Sequence, residues 1–257
     1  LISAMFLLGS GYLFRNFPST LELIVWISAQ TTFFQFYNPD FLRAFGVGAL
    51  NGALWTIAVE LQFYLLFPLV HHLLQKGHIP IIATILVFVI LNQVNIYLNP
   101  KETVLEKILN VSFIPWFYMF LIGAVTAHYS ILRAWLLKSS LFASIILLWF
   151  TYIFSKAYGL QWGNGINPIG FALIATICLH LAFRKPDLSN TYIKKNDISY
   201  GFYIYHMPVV NLILYLLGPG SWQFYLALLL TFIFASISWF LVEKPLLRRK
   251  YFAARHL

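Results

Sequence analysis

Acidic residues are rare in this chain. It holds 8 Asp and Glu against 17 Lys and Arg in 257 residues, and charged residues of both signs make up only 10% of it. Soluble domains carry roughly 25%. With 60% hydrophobic residues and a mean hydropathy of +0.77, a soluble fold of this size would have too much apolar surface to hide. Helices in a bilayer have no need to hide it. Cysteine is almost missing. The single Cys178 lies inside an apolar run, which excludes an internal disulfide and zinc-type spacing, so no metal is expected. Low-complexity linkers, internal repeats and a soluble appendage are also missing. No signal peptide is visible. The chain opens on Leu1 with LISAMFLLGSGYLF, which reads as the back half of a hydrophobic helix, so an N-terminal truncation is expected. A net charge of +9 would suit nucleic acid, but no soluble basic domain is there to bind it. Loop bias toward the cytoplasmic face is the better account.

What is present is a series of apolar runs long enough to span, at about 1–14, 21–37, 52–70, 79–98, 111–129, 140–157, 166–183, 198–217 and 222–243. The breaks carry loop chemistry: Asn38-Pro39-Asp40, Asn99-Pro100, Gly163-Asn164-Gly165 and Gly218-Pro219-Gly220. The expected fold is an all-α polytopic transmembrane bundle with eight or nine spans, depending on whether 21–37 crosses fully or is re-entrant. Charge parity orients it. Downstream of the 52–70 run, twelve Lys and Arg fall in alternate breaks on one side: Lys76, Arg133, Lys138, Arg184, Lys185, Lys194, Lys195, Lys244, Arg248, Arg249, Lys250 and Arg255. Three, Lys101, Lys107 and Lys156, fall on the other. Such an imbalance puts the C-terminus in the cytoplasm.

Seven acidic residues are expected in loops or at helix ends. Glu60 is the exception, in the middle of NGALWTIAVELQFYLLFPLV. Nine residues past Asn51, at about 1.5 Å each, it is expected near mid-membrane, where a carboxylate costs at least about 2.5–3.5 kcal/mol. Thr56, Glu60 and Phe63 share one helical stripe, and Asn51, Trp55, Ala58 and Gln62 form the next. Glu60 is either a hydrogen bond locking two helices or part of a site; intramembrane carboxylates favour the site.

The second constellation is ISYGFYIYHMPVVN, residues 198–211. Ser199, Tyr203 and His206 share a stripe, with Phe202 and Tyr205 beside it. His206, about 12 Å from the cytoplasmic end of its helix, could meet Glu60 at similar depth from the opposite direction. Histidine takes and returns protons near neutral pH, and equally well joins two helices by a hydrogen bond. Pro208 frees a backbone carbonyl and bends the helix, which is tolerated where a cavity is lined. Asn92, Gln93 and Asn95 read as helix contacts or an outer vestibule. At the end, WFLVEKPLLRRKYF reads as a topology anchor that attracts anionic headgroups. Alternatively, Lys194, Lys195, Arg248 and Arg249 hold the phosphates of a nucleotide-containing donor.

Three segments together resemble the membrane-bound acyltransferase 3 family. Leu54-Trp55-Thr56-Ile57-Ala58-Val59-Glu60-Leu61-Gln62-Phe63-Tyr64 is similar to its W-[ST]-[IL]-x-V-E-x-Q-F-Y segment. Ser199-Tyr200-Gly201-Phe202-Tyr203-Ile204-Tyr205-His206-Met207-Pro208 is similar to its S-Y-x-x-Y-x-x-H-x-P helix. Val242-Glu243-Lys244-Pro245 is similar to its closing V-E-K-P. The resemblance covers essentially all of 1–257 and implies a single membrane domain of about ten helices, missing its first ones. It implies transfer of an acyl group, usually acetyl, from acyl-CoA as co-substrate to a hydroxyl of a cell-envelope or exported glycan, at a bacterial inner membrane, with no bound cofactor. The family's first helix, bearing an Arg and a His thought to be catalytic, and its R-R-x-x-R-x-x-P loop have no counterpart here. A chain without them is expected to be inactive alone.

On this reading Glu60 and His206 are the catalytic candidates. The family's missing His is the expected general base, Glu60 orients or charge-stabilises that imidazole, and His206 binds the carbonyl or the developing oxyanion with nearby tyrosine hydroxyls. Asn51, Trp55, Gln62, Tyr64, Ser199, Tyr203 and Tyr205 are the substrate-binding candidates. The rival reading is a glycan or lipid transporter or flippase with Glu60 and His206 as a proton relay. It lacks the inverted repeat or broken helix pair that such proteins show.

Overall fold

The structure, a computed structural model, describes residues 2–97, 103–159, 162, 166–184 and 196–247. Its helices are α1 (Ile2–Gly9), α2 (Tyr12–Arg15), α3 (Thr20–Gln30), α4 (Trp55–Gln75), α5 (His78–Tyr97), α6 (Val104–Asn110), α7 (Phe117–His128), α8 (Ser130–Lys138), α9 (Leu141–Tyr158), α10 (Pro168–Arg184), α11 (Ser199–Leu217) and α12 (Ser221–Ser238). A π-helical turn, Trp239–Glu243, follows α12. Among the described residues there is no strand, and the all-α expectation holds.

The expected count of eight or nine spans is not confirmed. Among the described residues five helices are long and apolar enough to cross a membrane: Gly52–Gln75, His78–Tyr97, Leu141–Tyr158, Ser199–Leu217 and Ser221–Leu247. A sixth arises if α7 and α8, bent by 95°, are one broken span. Each shortfall has a local cause. The first run breaks at Gly11, whose φ of 73° is a left-handed conformation. Helix α3 opens on a capping box of Ser19 and Glu22 but stops at Gln30. There the Thr31 and Thr32 hydroxyls donate to carbonyls of its last turn. Helix α10 starts at Pro168, with Asn167 capping the Gly170 N–H at 2.8 Å. At 17 residues it extends about 25 Å, short of a hydrocarbon core of about 30 Å.

The chain divides into two compact units, Leu1–Ala58 with Ser189–Leu257, and Val59–Leu188. In the first, Leu7, Tyr12, Trp26, Leu42, Phe45 and Leu50 form a buried cluster, tied by the Tyr12 hydroxyl donating to Phe41 O at 2.6 Å. Val209 and Ile213 of α11 pack with Ala227 of α12. These two helices approach closely at Gly201, where a Cβ would lie 3.1 Å from the Ala235 Cα. Small residues permit such close crossings in membrane bundles.

In the second unit, Val70 and Leu74 of α4 pack with Ile81 of α5 and Phe117 and Leu121 of α7. The irregular stretch 111–116 is held by side chains. Gln62 donates to Val111 O at 3.0 Å and accepts from Phe113 N–H at 2.9 Å. Asn92 donates to Pro115 O at 2.9 Å, and Asn95 to Asn110 Oδ1 at 2.9 Å. Non-helical backbone among membrane helices needs such partners, which accounts for the amide-rich patch on α5.

Candidate functional site

The site is built where the stretch 46–56 meets α11, inside the first unit. Asn211 of α11 is fully buried and spends its whole amide on that stretch. Its Oδ1 accepts from Val47 N–H at 2.7 Å, and its Nδ2 donates to Ala49 O at 2.8 Å and Leu50 O at 3.1 Å. Gly46 is required twice over. Its φ is +62°, and a Cβ there would fall 2.2 Å from the Asn211 Oδ1. Asn38 adds a second clamp, donating to Gly48 O and accepting from Leu50 N–H.

One turn nearer the N-terminus of α11, Pro208 has no N–H for the carbonyl four residues back. That carbonyl is Ile204 O, and Asn51 Nδ2 donates to it at 3.1 Å. A side chain from outside the helix therefore replaces the bond that the proline removes. The other amide atom, Asn51 Oδ1, is buried without a hydrogen-bond partner.

Next to this capped carbonyl, three oxygens converge. The Tyr203 hydroxyl donates to Ala53 O at 2.8 Å and lies 2.5 Å from Thr56 Oγ1, itself 3.1 Å from Ala53 O. His206 Nδ1 is 2.6 Å from Tyr203 O. A carbonyl can only accept, so Nδ1 carries the proton, and in the neutral ring Nε2 keeps its lone pair. The half-buried imidazole thus offers a proton-accepting nitrogen beside a tyrosine ring 5.8 Å away. At the entry to α11, Asp197 accepts from the Ser199 hydroxyl at 2.6 Å and its N–H at 2.9 Å. These bonds hold the Asp197 carboxyl below its ordinary range.

A model described as an acyltransferase domain, that of the acyltransferase-3 family, matches residues 2–242. The chain belongs to the acyltransferase-3 family. It is 26% identical over 241 residues to nodulation protein 10 of Rhizobium leguminosarum bv. viciae, covering 86% of this chain and 62% of that protein. It is 27% identical over 210 residues to an O-acetyl transferase of Shigella phage Sf6, covering 78% of this chain and 57% of that one. The chain therefore spans about three fifths of these curated relatives. No solved structure matches it. Acyltransferase membership and helices of this length and apolarity make it an integral membrane protein.

In this acyltransferase-3 domain the structure brings Asn51, Tyr203 and His206 together. Glu60 lies in the second unit, on an exposed face of α4 with Tyr64, itself 66% exposed. Trp55 is half-buried at the start of α4, and both amide atoms of Gln62 are taken by backbone. Ser199 faces Asp197, and Tyr205 donates to Ser238. Lys194, Lys195, Arg248 and Arg249 lie outside the described residues. Sequence reasoning passed over Asn211 and Asn38. The cost argument that singled out Glu60 applies to an asparagine inside an apolar helix as well, and would have found Asn211.

Proposed function

We propose that this acyltransferase-3 chain serves a protein that moves an acyl group, acetyl in the first instance, from acyl-CoA to a hydroxyl of a cell-envelope or exported glycan at the bacterial inner membrane. Its C-terminus faces the cytoplasm, as the basic bias of its loops supports. The observation that carries the reading is the His206 tautomer. With Nδ1–H held by Tyr203 O, Nε2 is the atom that accepts a hydrogen bond from an incoming hydroxyl. In the transfer step the hydroxyl proton passes to Nε2 as its oxygen bonds to the thioester carbonyl carbon. The C–S bond then breaks, and the departing thiolate takes the proton from the imidazolium.

Asn51, Trp55 and the Tyr203 hydroxyl line the acceptor side in this proposal, and Ser199 and Tyr205 lie toward the donor. Lys194, Lys195, Arg248 and Arg249 supply charge for the donor phosphates. An exposed carboxylate on a spanning helix is costly against lipid, so the Glu60 face of α4 is assigned to a polar path, as a functional carboxylate. The test uses the protein expressed from its natural gene. His206→Ala and Glu60→Gln should each abolish acyl transfer without lowering membrane expression. Full activity in both variants sinks the assignment.

A further inference from the structure

Tyr205 lies one residue before His206, and its hydroxyl begins a chain of polar groups that runs to the end of α12. It donates to Ser238 Oγ at 3.0 Å, and Ser238 Oγ donates to Glu243 Oε1 at 2.8 Å. The carboxylate sets the polarity of the chain. Ser238 has one proton, and giving it to Glu243 leaves only lone pairs for Tyr205, so the tyrosine must be the donor.

The second bond needs special backbone. Five residues along an α-helix turn about 500°, which leaves positions 238 and 243 about 140° apart around the axis. The π turn Trp239–Glu243 absorbs an extra residue and returns Glu243 beneath Ser238. The same turn grips the entry to α11. Trp239 Nε1 and Lys244 Nζ donate to Asn196 Oδ1 at 3.0 and 2.8 Å. The Gly201–Ala235 approach also holds α11 against α12, away from the relay. A π insertion gives up regular α-helical bonding and is frequent at functional sites. Tyrosine side chains in a helix lean toward its N-terminus, which brings the Tyr205 hydroxyl down to Ser238 while its own turn carries His206.

We propose that Glu243 is a positioning residue for acyl transfer, acting through Ser238 on Tyr205 and so on the turn of α11 that presents His206. The inference rests on the acyl-transfer reading above. Its test measures kcat and KM for acetyl-CoA on the protein from its natural gene. Glu243→Ala and Ser238→Ala are expected to lower kcat about tenfold or more, with KM changed by less than about twofold, as misplacement of a reacting group does. Glu243→Gln keeps an oxygen that accepts from Ser238 and should return kcat to within about threefold of wild type. The double variant Tyr205→Phe/Glu243→Ala should be no slower than Tyr205→Phe alone.

Unchanged kcat in Glu243→Ala, failure of Glu243→Gln to rescue, or losses that multiply in the double variant each overturn the relay. If Glu243→Ala does not accumulate folded, Ser238→Ala decides by the same criteria. No transfer by the wild-type protein counts against the acyl-transfer reading itself. Transfer untouched by these substitutions counts against the relay alone.

Discussion

Proline 208 and asparagine 51 illustrate how a cost at one residue is met by another far along the chain. The proline leaves Ile204 O without a helical donor, and Asn51 supplies one. An unsatisfied buried carbonyl costs about 1–3 kcal/mol, so Asn51→Ala should lower the thermal midpoint in detergent accordingly. Pro208→Ala restores an N–H at the right place. The double variant should therefore be less destabilised than Asn51→Ala and Pro208→Ala added together, and simple additivity would contradict the account. At this scale the sequence was partly legible. Glu60, His206 and Pro208 stand out because each breaks a rule for an apolar helix. What each one faces was not legible, since Asn51 and Ile204 meet only through tertiary folding. Gln62 shows the same gap: its place in a motif suggests substrate, whereas its amide holds the 111–113 backbone.

Among the elements, α11 and α12 set the tolerance of the whole site. Their approach at Gly201 leaves a Cβ only 3.1 Å from the Ala235 Cα, and backbone on both sides gives little room. Gly201→Ala should force the pair apart by a few tenths of an ångström and cost about 1–3 kcal/mol, as overpacking does. A melting temperature equal to wild type would contradict that. Hydropathy located these helices well because long apolar runs are the strongest signal available. It failed on shorter elements. The run at 111–129 begins with irregular backbone and turns by 95° into α8, where Arg133 caps the last carbonyls of α7. The run at 21–37 ends at Gln30 because threonine hydroxyls compete for its carbonyls. The π turn was also hidden. Reading Glu243 with α-helical spacing puts it away from Ser238, and the bond between them appears only once an extra residue is absorbed.

For the molecule as a whole, class and family were legible from composition and three short motifs, and the match over residues 2–242 agrees. Span count was not, because run length in a sequence ignores where glycine, threonine and proline interrupt a helix. The central claim is that this acyltransferase-3 chain serves a protein that moves an acyl group from a thioester donor to a glycan hydroxyl. The most direct test supplies acetyl-labelled acetyl-CoA to membranes containing the protein from its natural gene and follows the label. The account predicts label on an ester of the glycan, dependent on His206, with release of free CoA in equal amount. Glycan crossing the membrane with no label attached and no donor consumed would contradict it and favour a transporter.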